Sequence, residues 1–380
     1  MTPRIAINGR FLTQRASGVQ RFAAESIKAI DALIGSDYPE LKGRVEILAP
    51  REARDFPLAN SPLRRVGFTS GYFWEQIEFP LHGRGQLLLN LCMLGPLAAR
   101  HQIVVVHDAT VLALPQNFSP RFRAAYSFLI PRLCKRSDLV VTVSEFSRGE
   151  IGRLYGADVS AMPVCYEGGD HITAVPASDA VIERLGLKGR KFFLGVGVDS
   201  ANKNIKSVVA AFQKANLPDA VLVLTGAKDT RVFGEIDVTE TDNVRLVGFI
   251  PDDELRALYE NALALVFPSF YEGFGLPPLE AMTAGCPVVI SEQPALIEIG
   301  GDATLHCTAE DIGQIARHMQ ALYADDALRA RLSAAGRARA QNFTWRSTGR
   351  NLIDYCHALA AKRAARGGAQ TRGLALENRR

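Results

Sequence analysis

The chain has 380 residues, 47% of them hydrophobic, with 44 basic against 40 acidic side chains and a formal net charge of +4. That length and apolar content suit two domains with full cores and argue against long disorder. The small basic excess does not imply nucleic acid, which is not expected as a partner, but it suits anionic substrates or an anionic membrane surface.

The six cysteines, Cys92, Cys134, Cys165, Cys286, Cys307 and Cys356, form no CxxC pair, so neither a zinc nor a thioredoxin-type site is signalled. Scattered thiols fit a reducing compartment. The start, Met1 to Ile7, lacks the apolar core of a signal peptide, and no window approaches the roughly 18 apolar residues of a membrane span. A soluble protein, at most attached to a membrane surface, is expected.

Short apolar runs alternate with amphipathic stretches, as in βαβ units around parallel sheets. In the first half, strands are predicted at 4–8, 45–49, 86–90, 103–108 and 139–144, with helices at 18–33, 120–136 and 147–154. Pro131 is expected to kink or end the second helix. Glycines and a proline between Cys165 and Ser178 suggest a hinge, which puts the domain boundary near 168–188. The domains are therefore read as 1–172 and 188–344. In the second half, strands are predicted at 192–196, 220–225, 244–247, 263–267 and 288–291. Helices follow at 205–215, 252–261, 278–284, 309–324 and 326–340. A last helix at 345–362 is expected to pack back on the first domain, and the basic tail 364–380 to be disordered.

The most informative segment runs from Phe267 to Ile290. A buried strand ends near Phe267, and the loop Glu272-Gly273-Phe274-Gly275-Leu276 leads into a helix started by Pro277 and Pro278 and stopped by Gly285. Free amides at a helix start on a strand's carboxyl edge bind anions without a metal. Glu272 and Glu280 would repel phosphate and suit sugar hydroxyls instead, although Glu280 also reads as an ordinary first-turn acid and Glu272 as a solvated loop residue. Further on the chain's own terms, Lys203 stands at a helix start after the Gly195-Val196-Gly197 strand end and can reach a diphosphate as a point charge. His107 follows the strand Val104-Val105-Val106, at a sheet edge where it can face substrate or serve as a structural histidine. Gly18 follows Ser17, a candidate cap, at the first helix start. Asp252-Asp253 looks like capping rather than a metal-binding pair, and no metal is expected.

Glu272 and Glu280, seven residues apart within EGFGLPPLEAMTAGCPVV, resemble glycosyltransferase family 4. That family has the GT-B fold, an α/β architecture of two Rossmann-like domains whose parallel sheets face across a cleft. The resemblance spans about residues 4–360 and is strongest over 190–300. It implies that Glu272 lies against the transferred sugar and Glu280 on the nucleotide ribose. Phe274, Gly275 and Leu276 would supply amides to the donor, Lys203 would bind its diphosphate, and His107 would lie near the sugar. The loop after Val247, which carries Phe249, would meet the base, and Gly18 the donor phosphates. Many members have an arginine where this chain has Val198.

The activity implied is retaining hexosyl transfer by front-face substitution. The donor would be a nucleotide sugar (GDP-, UDP- or dTDP-linked, with GDP-mannose favoured) and the acceptor a glycan or lipid-linked glycan of a bacterial surface polysaccharide. Other than the donor itself no cofactor is expected. The site would be cytoplasmic, or peripheral at the inner face of the plasma membrane, where the aromatic and basic stretch Phe118–Arg136 either lies on the bilayer or is an ordinary packed helix. Trp74 is placed on the acceptor side. Rival readings are a nucleotide-sugar hydrolase or epimerase sharing the donor site, and a non-catalytic subunit. A dehydrogenase fits poorly, because Ser200 stands at the third glycine position of a dinucleotide fingerprint.

Overall fold

The computed structural model describes residues 2–15, 17–197, 201–226 and 242–377. The chain divides into two compact units, one of Met1–Val143, Ser147–Tyr166 and Trp345–Arg380, the other of Ser144–Phe146 and Glu167–Thr344. The boundary thus falls at 166/167, ahead of the 168–188 stretch read as a hinge. Residues 167–187 belong to the second unit because their two short helices, His171–Ala174 and Ala180–Arg184, pack against its Asp252–Asn261 helix.

The first unit holds six strands: β1 (Ile5–Asn8), β2 (Val45–Ala49), β3 (Leu63–Arg65), β4 (Leu87–Asn90), β5 (Gln102–Val105) and β6 (Leu139–Val141). They pair in parallel in the order β3-β2-β1-β4-β5-β6. β1, β4 and β5 are buried along their whole length, which is why each holds three consecutive apolar residues without alternation, beside one buried amide side chain. On one side Val104, Val106, Ile130, Leu133 and Ile151 form a core, and on another Ala6, Leu48, Trp74, Phe79 and Leu88 do.

Trp74, expected at the acceptor side, is fully buried and donates its indole N–H to the Val66 carbonyl at 2.9 Å. It lies in a π turn, Trp74–Glu78, between two α turns, Gly71–Phe73 and Phe79–His82. Truncation to alanine would cost about 3–5 kcal/mol, as large-to-small changes of buried aromatics do.

The Pro120–Arg136 helix continues through Pro131. The carbonyl that Pro131 leaves without its helical partner belongs to Ser127, an exposed residue, so water can serve it. The Trp345–Glu377 helix closes this unit against the Gly18–Ile34 helix, with Trp345 edge-on to Phe22 at 5.9 Å. Gly349 allows that approach, since a Cβ there would lie 2.9 Å from the Ala29 Cβ. This helix extends well beyond 362 and takes in residues 364–377, read from sequence as a disordered tail. Eight of those fourteen residues are alanine, arginine or leucine, which rank high in helix propensity.

The second unit holds β7 (Phe192–Val196), β8 (Val221–Thr225), β9 (Val244–Gly248), β10 (Ala264–Phe267), β11 (Val288–Ser291) and β12 (Leu305–Cys307). These too are parallel, in the order β12-β11-β10-β7-β8-β9. Phe193, Phe212, Leu222, Leu224, Val266 and Met319 fill its core. Counted from its own first strand, this sheet repeats the order of the first. In each, the order reverses beside the first strand, between β1 and β4 and between β7 and β10. In open α/β sheets such a reversal leaves a crevice beyond the strands' carboxyl ends, where ligands bind.

Candidate active site

Lys203 and Glu272 leave the carboxyl ends of β7 and β10, the two strands that flank the reversal in the second unit. The Lys203 ammonium is 2.6 Å from Glu272 Oε1 and 4.8 Å from the centre of the Phe267 ring. Oε1 also accepts from the Ser269 hydroxyl at 2.6 Å. The loop is fixed by Asn202, which donates to the Tyr271 carbonyl at 2.8 Å, and by Gln293, which donates to the Glu272 carbonyl at 3.3 Å. The other carboxylate oxygen, Oε2, accepts from none of the described residues. The ammonium has three donors, so it can hold Glu272 and an incoming oxyanion together.

The chain then turns into the Leu276–Ala284 helix, capped by Gly275 at φ +112°. A side chain at Gly275 would strain that backbone and would strike Leu296, whose Cδ2 lies 2.6 Å from the position of a Cβ. Pro277 and Pro278 occupy the first turn and carry no N–H, so the amides this helix start offers are those of Gly275 and Leu276. Phe274 is buried, its ring 6.2 Å from that of Phe343, so only its backbone is placed to meet a ligand.

Glu280 lies further along the same helix. Its Oε1 is 3.0 Å from His171 Nε2 and its Oε2 accepts from the Tyr259 hydroxyl at 3.1 Å, all three side chains being buried. Burial, reinforced by the Glu280 charge, raises the Tyr259 pKa and keeps that phenol a donor. Glu280 is therefore set into the unit by two partners that its spacing from Glu272 did not announce. Phe249 follows β9 and stands 69% exposed, an open aromatic face at the carboxyl edge of the sheet. Asp252 and Asp253 begin the Asp252–Asn261 helix as first-turn acids. Among the described residues no three of His, Cys, Asp and Glu converge on a point that could hold a metal. Val198 and Ser200 lie outside the described residues.

Residues 178–339 match the family described as glycosyl transferases group 1. The chain is 34% identical to the O-antigen chain mannosyltransferase B of Escherichia coli over 256 residues, 64% of this chain and 66% of that one. The chain is a glycosyltransferase with a group 1 domain. It is also 27% identical to the O-antigen chain mannosyltransferase RfbU of Salmonella typhimurium, across 76% of this chain and 80% of the relative. In fold the glycosyltransferase is similar to the sucrose-phosphate synthase of Thermosynechococcus elongatus, with a TM-score of 0.72 at 20% identity over 94% of this chain and 99% of that one. The architecture is GT-B, two Rossmann-like units with parallel sheets.

In the first unit of the glycosyltransferase, His107 lies beyond β5 and is only 3% exposed. Its Nε2 is 2.8 Å from the Leu91 carbonyl and its ring meets Phe22 edge-on at 4.8 Å. Its own unit thus packs the ring on two sides. Gly18 opens the Gly18–Ile34 helix, but Ser17 does not cap it, because the hydroxyl pairs instead with the Gln20 side chain. A side chain at Gly18 would meet nothing within 4 Å, so packing does not demand glycine there.

In the stretch read either as bilayer-facing or as an ordinary packed helix, most aromatic side chains turn inward. Phe118, Phe122, Tyr126 and Leu129 pack on the core, and Phe128 stands exposed beneath Arg132. No helix among the described residues is long and apolar enough to cross a membrane. None of the six cysteines is in a disulfide, and burial pushes Cys286, Cys307 and Cys356 up to about 12, which keeps them as thiols.

Proposed function

We propose that this glycosyltransferase moves a mannosyl or related hexosyl residue from a nucleotide sugar, GDP-mannose in the first instance, to a glycan or lipid-linked glycan of a surface polysaccharide. The observation that carries the reading is the Lys203–Glu272 pair at the carboxyl ends of β7 and β10, beside the Gly275-capped helix. The names of the O-antigen mannosyltransferases it resembles support the sugar and the product class.

In this reading Lys203 and the amides of Gly275 and Leu276 take the donor's diphosphate and stabilise the leaving group. Glu272, through Oε2, holds a hydroxyl of the transferred sugar and balances charge that develops on its ring. No side chain is assigned as a covalent nucleophile. The leaving phosphate itself takes the acceptor's proton on the face it departs from, so configuration is retained. Glu280 takes the ribose through the lone pairs that His171 and Tyr259 leave, and the exposed Phe249 ring lies against the base. His107, its Nε2 committed to Leu91, shapes the end of β5 near the sugar, and Gly18 lets the donor phosphates approach the first helix. Positive charge comes from protein groups, so turnover is expected without a metal. The site works in the cytoplasm, with the Phe128–Arg132 corner as the membrane-facing point if the acceptor is lipid-linked.

The test is a panel of GDP-mannose, UDP-glucose and a dTDP-deoxyhexose, scored by protection against thermal unfolding and by transfer of labelled sugar with and without a mannoside acceptor. Protection by GDP-mannose, transfer only when acceptor is present, and unchanged turnover in EDTA are expected. Sugar release that does not need acceptor would turn the reading to a hydrolase, and loss of turnover in EDTA restored by Mg²⁺ or Mn²⁺ would remove the metal-free step.

A further inference from the structure

The first unit repeats the topology of the second, and its own strand-order reversal, between β1 and β4, also carries an ion pair. Arg10 leaves β1 two residues after Asn8, and Glu75 reaches in from the π turn. Arg10 Nε donates to Glu75 Oε1 at 2.9 Å, and Asn8 Nδ2 donates to the same oxygen at 2.9 Å. Asn8 Nδ2 also donates to Asn90 Oδ1 at 3.0 Å, and Asn90 Nδ2 donates to Gln102 Oε1 at 3.0 Å, so the brace is tied into β4 and β5. The guanidinium lies 4.5 Å from the centre of the Tyr72 ring. Tyr72 is half exposed, while the Glu75 side chain is only 1% exposed.

The guanidinium fork is only partly used. Its Nε is bonded, but Nη1 and Nη2 donate to none of the described residues. Arginines buried for structure alone have their forks matched by carboxylates or carbonyls. This one is held by one nitrogen, in the crevice position of its sheet, with up to four N–H donors left over beside a half-open aromatic ring.

We infer that Arg10, braced by Glu75 and set on Tyr72, binds hydroxyl groups of a neutral sugar residue of the acceptor. The inference rests on the sugar-transfer reading of the second unit. The choice of a neutral ligand follows from the charges. Glu75 already compensates Arg10, and a phosphate or carboxylate would add a second negative charge beside a buried carboxylate. Sugar hydroxyls accept from Nη1 and Nη2 without adding charge, and an aromatic ring with a polar rim suits the apolar face of a pyranose.

The experiment uses the full chain, with p-nitrophenyl α-D-mannopyranoside as the acceptor probe and GDP-mannose as donor. Ligand-observed NMR reads binding of the mannoside independently of turnover. The variants Tyr72→Leu, at a half-exposed position, and Arg10→Lys should each weaken mannoside binding about tenfold or more while GDP-mannose protection against unfolding stays within about twofold. In the wild type, inorganic pyrophosphate should not displace the mannoside. In Glu75→Gln, where the arginine charge is no longer balanced, it should. Absence of mannoside binding to the wild type, or unchanged binding in both Tyr72→Leu and Arg10→Lys, overturns the assignment. So does displacement by pyrophosphate in the wild type as strong as in Glu75→Gln, which would mark an anionic acceptor. Failure of the donor reading shows separately, as absence of protection by GDP-mannose.

Discussion

Two basic–acidic pairs sit at equivalent places in the two sheets, Arg10–Glu75 beside β1 and Lys203–Glu272 beside β7, and they differ in how far they are sealed. The side chains of the first pair are 8% and 1% exposed, those of the second 16% and 11%. In the first the carboxylate is the inner partner, bound by Arg10 and Asn8, and the cation carries the unused donors. Each carboxylate keeps one oxygen that no described residue fills, but Glu75 Oε2 is buried whereas Glu272 Oε2 is not, and the second cation is a compact ammonium. The same topological position thus serves opposite ends, depending on which partner is closed in. Where the acid is buried it braces a donor, and where it is open it keeps an accessible oxygen.

That contrast can be broken by exchanging its members. The largest effect is expected at Glu272→Gln, which keeps shape but removes the charge. Steady-state transfer should lose about 10²–10³ in kcat with donor binding largely kept, the range seen when one preorganised electrostatic contact is removed. Lys203→Met should lower kcat/KM by about 10²-fold and weaken protection by GDP, since it removes charge from the leaving group. Near-normal activity in both variants would mean that the second reversal is not the donor site.

Stability should rank the two pairs the other way. Arg10→Met strands a buried carboxylate and should cost about 3–5 kcal/mol in denaturant unfolding. Lys203→Met leaves Glu272 with Ser269 and more water, and about 1–2 kcal/mol is expected. Equal losses would dissolve the distinction between a brace and a contact.

Much of this was legible from sequence and some was not, for identifiable reasons. The strands at 45–49, 192–196 and 288–291 have the bounds expected, because short, mostly apolar runs between turn residues leave little choice. β3 was missed, being three residues of which two are exposed arginines on a sheet edge. The 272–280 turn was readable because glycine and proline punctuate both its ends. Ser269 and Asn202 could have been suspected only from standing close to Glu272 and Lys203. The partners of Glu280 were hidden, since His171 lies 109 positions away and only folding brings it near. Trp74 was misplaced because a π turn widens the helical period, so the spacing of Tyr72, Phe73 and Trp74 does not tell which ring faces inward.

A smaller effect sharpens the comparison through pH. Burial raises the Glu75 carboxyl above its ordinary value of 4.5, against the pull of Arg10 and the Asn8 hydrogen bond. An acid whose folded value is raised contributes stability that is complete below the unfolded value and fades as pH rises through the folded one. Thermal unfolding of the wild type relative to Glu75→Gln should therefore be most favourable near pH 4 and decline upward from there. A difference that is flat with pH would show that Glu75 is not sealed as described.

The return of residues 345–377 to the first unit has a consequence for how the chain is made. The second unit is almost continuous in sequence and emerges whole while the first still lacks its closing helix. During synthesis the later half can therefore reach its native state sooner than the earlier half, which waits with the Phe22 side of its opening helix uncovered until translation ends. A premature stop after residue 344 should yield an intact second unit joined to an aggregation-prone first one, visible as a protease-resistant fragment confined to the second unit.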